Sequence, residues 1–194
     1  QDNKNEGVYA SNKYMRTGDL GYLDTDDYLW ITGRAKDIII RGGHNIDPTV
    51  IEDALAGHNQ VAMVGAIGQP DLRLGEVPCA YVELVGGSTT QSTELMSHIK
   101  EALDSKIAIP EHIEILDELP KTAVGKIFKP DLRKRAIKRV FNFELQANNV
   151  QETVTDVVED KVNGLTAVIS SKSSVNDDKI NELLGQFIVP WKRD

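Results

Sequence analysis

The stretch PKTAVGK, Pro120 to Lys126, places a lysine behind a short loop of proline, threonine and glycine, close to the start of a basic segment. Lysine is a compact cation on a long stem, able to reach a phosphate or carboxylate oxygen, although a lysine after glycine is also an ordinary solvated residue. Asp19, inside TGDLG, carries a carboxylate that can accept from two adjacent hydroxyls at once or, alternatively, cap a turn. Arg34 follows Gly33 and offers a planar fork for a hydroxyl or a phosphate oxygen. Gly42 and Gly43 let the backbone approach a ligand closely, and equally suit a tight hairpin turn.

Metal chemistry has little to work with. His44 shares its loop with Asn45 and has no ligand set beside it, and His58, His98 and His112 are scattered singly, so no metal site is expected. The single cysteine, Cys79, excludes an internal disulfide and a cysteine-based cluster, and its apolar surroundings suit a buried thiol in a reducing, cytoplasmic setting.

The 194 residues, 40% hydrophobic, suffice for one medium or two small domains of ordinary globular composition. Thirty acidic against twenty-two basic residues give a formal charge of −8, which argues against a nucleic acid or an anionic membrane as partner. Apolar runs such as Asp37 to Arg41 fall far short of the roughly 20 residues of a membrane-spanning helix. The opening QDNKNEGVYA lacks a methionine and the basic-then-apolar order of a secretory signal, and is read as an internal stretch of a longer chain.

The elements that must position these residues follow from periodicity. Gly18 to Thr32 alternates apolar and polar residues around an Asp-Thr-Asp-Asp turn, which predicts a β-hairpin, and a second hairpin is expected over Asp37 to Ile46. Asp47 to Gly57 has an N-cap aspartate, proline at the first helical position and a closing glycine, and predicts a helix. Strands are expected at Val61–Ile67, Val77–Leu84 and His112–Leu116, with a loop from Gly68 to Glu76 and helices over Ser92–Lys106 and Pro130–Asn142. The last helix carries a basic face of Arg133, Lys134, Lys138 and Arg139. Beyond Asn148, strands at Glu152–Val158, Thr166–Ser170 and Phe187–Trp191 and a helix at Asn176–Leu184 suggest an added unit. The expected class is α+β: a small three-stranded antiparallel sheet plus hairpin, flanked by helices, with a small α/β subdomain appended. Expected divisions are 1–33, the end of a preceding domain; 34–140, the main domain; and 141–194, the appended subdomain of unassigned role.

Three spaced blocks, TGDLG at Thr17–Gly21, GRAKDIIIRGGHNIDPTVIE at Gly33–Glu52 and LPKTAVGK at Leu119–Lys126, together resemble the adenylate-forming enzymes, and GQPDLRLGE at Gly68–Glu76 is similar to a linker of that family. The resemblance covers about Tyr14 to Lys138 and is nearest to the AMP-forming acyl-CoA synthetases. It implies the small C-terminal domain of such an enzyme, preceded by the end of the large N-terminal domain. By resemblance, Asp19 and Arg34 hold the nucleotide, Lys36 is the hinge of the moving C-terminal domain, Gly42 and Gly43 line the CoA tunnel, and Lys126 is the adenylation lysine.

The implied reaction joins a carboxylic or fatty acid to CoA with ATP and Mg²⁺, both bound mainly by an N-terminal domain outside this chain. These residues alone are then expected to be inactive. Ile107 to Glu111 departs from the family's usual aromatic and basic pattern for contacts to CoA phosphates; Arg73, Lys100 and Lys106 could supply the missing charge or be ordinary solvated cations. Two alternatives stay open: an adenylating enzyme that loads a carrier protein, for which a basic docking patch on the Arg133–Arg139 helix is the mark, and a non-catalytic regulatory or binding module.

Overall fold

The computed structural model describes residues 8–10, 14–170 and 177–194. Strands β1 (Asp19–Leu23) and β2 (Leu29–Arg34) pair antiparallel as the first hairpin, with Asp19 opposite Arg34. Asp24 holds the turn: its Oδ1 accepts the backbone N–H groups of Asp26 and Tyr28, and its Oδ2 accepts the Trp30 indole N–H at 2.7 Å. Tyr22, Leu23, Tyr28, Leu29, Trp30 and Ile31 are all exposed, so neither face of this ribbon is buried by the described residues.

A five-stranded sheet forms the centre. Strands β3 (Ile39–Arg41) and β4 (His44–Ile46) make its second hairpin, turned by Gly42 and Gly43 with φ of 55° and 84°. Two successive left-handed residues are what a tight two-residue turn demands, and only glycine adopts them without strain. Helix α1 (Pro48–Ala56) starts where expected, with Asp47 accepting the Thr49 N–H and proline in the first turn. Strands β5 (Val61–Asp71) and β6 (Gly75–Leu84) form the longest ladder. Helix α2 (Ser92–Ala102) then crosses over to β7 (His112–Leu116), and helix α3 (Lys129–Ala147) follows.

Several expectations are corrected, among them the end of α2, at Ala102 rather than Lys106. Gly68 to Glu76 is not a loop: the ladder continues through Gly68↔Pro78 to Asp71↔Gly75, leaving a tip in which Asp71 Oδ1 accepts the N–H groups of Arg73 and Leu74. Proline and glycine there read as breakers, but Pro70 lies on β5, whose one partner is β6, where a missing N–H is tolerated. Pro78 falls where the far side of β6 passes from β3 to β7. The sheet is also not wholly antiparallel, because β7 joins β6 in parallel, as a strand returning through a helical crossover does. Finally, α3 runs to Ala147 rather than Asn142.

Helices cover both faces. Ile51, Leu55, Leu95 and Ile99 of α1 and α2 bury one face against Val64, Ala66, Ala80, Val82 and Ile113. On the other face Leu132 and Ala136 of α3 pack on Ile67, Cys79 and Tyr81. Any side chain at Gly65 would meet Leu132 Cδ1 at 2.6 Å, so this glycine sets how closely α3 approaches the sheet. The second half of α3 gives Ile137, Phe141 and Leu145 to a separate core. That core is completed by strands β8 (Val154–Asp160) and β9 (Gly164–Ile169) and helix α4 (Asp177–Leu184). A short strand β10 (Trp191–Arg193) pairs parallel to β9, later than the expected Phe187–Trp191, because Phe187 and Val189 pack on this core instead. Asn176, the expected start of α4, lies outside the described residues.

Polar side chains also meet where α3 crosses the sheet. Arg139 donates to Gln69 and Cys79, and Arg135 grips Glu114 at 2.6 Å. Burial pushes the Cys79 thiol up to about 11. Burial also pulls the His112 imidazole below the ordinary 6.5, with the Arg139 charge adding to the shift and Glu114 opposing it. A histidine held neutral in the fold takes up its proton more readily when unfolded, so its stabilisation is full above the unfolded value and is lost as the pH falls below it. The urea midpoint is expected to drop between about pH 7 and about pH 5, and His112→Gln to flatten that drop. Parallel pH profiles for the two proteins would remove His112 from this account.

Candidate functional site

The loop between β7 and α3 is not a flexible tether. Lys121 and Ile127 form an antiparallel bridge, Thr122 N–H donates to Lys126 O at 2.7 Å, and Phe128 N–H donates to Pro120 O at 2.7 Å. Gly125, at φ 79°, closes the turn with its N–H on Thr122 O, and Lys126 N–H donates to Thr122 Oγ1. Lys126 is therefore carried on a small closed hairpin.

Ion pairs lock both ends of that hairpin. Before it, Glu83 Oε2 accepts the Leu119 N–H and the Lys121 ammonium, each at 2.9 Å, and these two bonds hold the Glu83 carboxyl below its usual range. After it, Lys129 pairs with Glu52 Oε1 at 2.9 Å, and the same oxygen accepts the Ala66 N–H at 2.8 Å. Glu52 thus ties α1, β5 and the first turn of α3 at one point. Lys126 itself is exposed and makes no ion pair among the described residues.

Asp19 and Arg34 meet across the first hairpin. Arg34 Nε donates to Asp19 Oδ1 at 2.9 Å and its Nη2 donates to Thr17 O, while Asp19 N–H rests on Thr17 Oγ1. Arg34 leads into a 3-10 turn over Ala35–Asp37 that contains Lys36. From α3, Arg133 Nη2 donates to Lys36 O at 3.1 Å and to Asp37 Oδ1 at 2.9 Å.

These segments enclose one cavity of about 520 Å³, lined among others by Asp19, Arg34, Lys36, Lys126 and Lys129. Its size suits a small-molecule ligand, and clustered cations around an open carboxylate suit an anion that also carries hydroxyls. Four of the expected site residues, Asp19, Arg34, Lys36 and Lys126, therefore come together. Gly42 and Gly43 do not line this cavity; their turn leans on the β5–β6 tip, with Gly42 N–H donating to Leu74 O at 2.8 Å. No group of three metal-ligating side chains occurs among the described residues.

The basic face expected on α3 is dispersed. Arg133 is held by Asp37, Arg139 turns inward to Gln69, and Lys138 donates to Thr155 O, so these cations do not form one open patch for an acidic carrier. Lys129, Glu52 and Glu83 were missed by sequence reasoning, and Arg133 was read only as part of a basic face, not as the partner of Asp37. The basic residues at 121 and 129 bracketing the GK turn were the available signal; their acidic partners lie too far along the chain to be inferred.

The profile of the AMP-binding enzyme C-terminal domain matches residues 50–126, which end on Lys126. The chain carries an AMP-binding enzyme C-terminal domain. Over 184 residues it is 40% identical to marinolic acid–CoA ligase of Pseudoalteromonas sp., covering 94% of this chain and 28% of that protein. Over 131 residues it is 40% identical to indoleacetate–CoA ligase of Aromatoleum aromaticum, covering 66% of this chain and 25% of that protein. The o-succinylbenzoate CoA synthetase of Bacillus subtilis, solved with its acyl-adenylate intermediate, superposes with a TM-score of 0.61 at 38% identity, covering 69% of this chain and 27% of that one. The chain spans about a quarter of the length of the curated relatives it matches. No helix among the described residues is long and apolar enough to cross a membrane.

The lock on the Lys126 hairpin is testable without any activity. A hydrogen bond to a charged group contributes about 1.5–3 kcal/mol, so Glu83→Ala is expected to speed amide exchange at Leu119 by roughly tenfold or more while Ala80, in the core of β6, keeps its protection. Unchanged exchange at Leu119 would show that the hairpin is held by other contacts.

Proposed function

We propose that this chain is the C-terminal part of an AMP-forming acyl-CoA synthetase, an acid–thiol ligase that converts a carboxylic or fatty acid, ATP and CoA into acyl-CoA, AMP and pyrophosphate. The observation that carries the reading is the exposed Lys126 ammonium, without an ion-pair partner among the described residues, on a locked hairpin that lines one cavity with the Asp19–Arg34 pair. The relatives named as CoA ligases support it.

In the first half-reaction a carboxylate oxygen of the acid attacks the α-phosphorus, an O–P bond forms, and the bond to pyrophosphate breaks. Negative charge grows on the α-phosphate oxygens as the two anions approach. Lys126 neutralises it, and because its loop is already ordered the cation needs little reorganisation to act. Asp19 keeps Oδ1 on Arg34 and offers Oδ2 to the ribose hydroxyls, while the remaining Arg34 N–H groups serve the ribose or a phosphate oxygen. The accompanying Mg²⁺ is assigned mainly to the large N-terminal domain rather than to these residues.

In the second half-reaction the CoA thiol attacks the acyl carbonyl and AMP leaves. We assign this step to the same domain after rotation about Lys36, with the Gly42–Gly43 turn lining the path of the pantetheine arm. Residues 1–33 then end the N-terminal domain, whose surface covers the apolar faces of the first hairpin; 34–140 form the moving domain and 141–194 an addition to it. Taken alone, these residues complete no reaction, and the setting is cytoplasmic.

In the full-length enzyme, Lys126→Ala is expected to lower acid-dependent ATP–pyrophosphate exchange about 100-fold or more and to leave thioester formation from supplied acyl-adenylate and CoA nearly unchanged. Undiminished exchange would make Lys126 a surface lysine and favour a non-catalytic module.

A further inference from the structure

Arg133 is not part of the nucleotide cavity, yet it spends one guanidinium nitrogen on two neighbouring oxygens of a single turn. Nη2 donates to Lys36 O at 3.1 Å and to Asp37 Oδ1 at 2.9 Å, with Asp37 largely screened from solvent. Arg133 projects from the first turns of α3, the helix that begins directly after the Lys126 hairpin. The turn that contains Lys36 and the base of the Lys126 loop are therefore fastened to the same helix.

We infer that Arg133 is a positioning residue that ends the pivot at Lys36, so that the Lys126 loop swings as one body with α3. The inference rests on the reading of Lys36 as the hinge, and covalent geometry supplies the rest. Rotation about φ or ψ of Lys36 carries its carbonyl along with Asp37 and everything after, so both contacts to Arg133 travel intact with α3. Rotation about φ or ψ of Asp37 instead drags the Lys36 carbonyl away from α3 and breaks the first contact. A charge-assisted clasp at a partly desolvated place resists that separation. The soft dihedrals are thereby confined to Lys36 and the residues before it, as a hinge that uses few residues requires. Without the clasp a further residue loosens, and the arc that delivers either Lys126 or the Gly42–Gly43 turn loses its definition.

The test uses the full-length enzyme carrying Arg133→Ala, Arg133→Lys and Lys36→Pro. Spin labels are placed at Asp26→Cys on the first hairpin and Glu101→Cys on α2, both exposed, while the native Cys79 is buried. The clasp predicts that Arg133→Ala broadens the distance distribution between the labels. It also predicts a fall of about tenfold or more in both ATP–pyrophosphate exchange and thioester formation from acyl-adenylate, with Arg133→Lys restoring most of each. Loss of exchange alone would limit Arg133 to supporting the Lys126 hairpin and overturn the inference, as would loss of both rates with an unchanged distribution. Failure of the underlying reading has its own signature: Lys36→Pro leaves both rates untouched, or Lys126→Ala leaves exchange untouched.

Discussion

Helix α3 is the member on which the rest of the structure depends, because one rigid rod must fit three bodies at once. Its 19 residues span about 28 Å. At its start Lys129 fixes it to Glu52, and through that carboxylate to α1 and the edge of β5. One turn on, Leu132 fills the space that only a glycine at 65 leaves open. Its far end supplies Phe141 and Leu145 to the core of the appended unit. A shift that improved one of these fits would spoil another, and that conflict gives the Lys126 hairpin, hung from the start of the helix, a fixed address.

The same constraint separates structural from chemical cations. Lys121, Lys129, Arg133 and Arg135 each have a carboxylate partner within 3 Å, and each stitches two elements together. Lys126 stands among them with none among the described residues, at the cavity that also holds Asp19. A cation at the rim of a cavity, with its neighbours already neutralised, can meet an incoming anion without first breaking a bond. The paired lysines cannot.

Local signals were legible where backbone chemistry is unambiguous. The Asp47-Pro48 start of α1 and the Gly42–Gly43 turn follow from dihedral preferences and capping, which need no tertiary partner. Short blocks singled out Asp19, Arg34, Lys36 and Lys126, which meet at one cavity, and Gly42 and Gly43, which do not. What could not be read depended on distant partners. Pro70 looks like a breaker until it is known to lie on an edge strand. The basic face of α3 looks like a docking surface until Asp37, Gln69 and Thr155 are found to consume it. The extension of α3 to Ala147 depends on a second core that the alternation beyond Asn148 only hinted at. That unit is no stray tail: a match of 184 residues to marinolic acid–CoA ligase necessarily includes most of it.

The central claim is that Lys126 lies against the α-phosphate when the acid is activated. Lysine footprinting measures this directly: the full-length enzyme is acetylated with and without a non-reactive acyl-adenylate mimic, and modification is read residue by residue by mass spectrometry. The account predicts that the mimic slows acetylation of Lys126 at least tenfold while exposed Lys100 on α2 reacts at its usual rate. Equal rates at Lys126 with and without the mimic would contradict it.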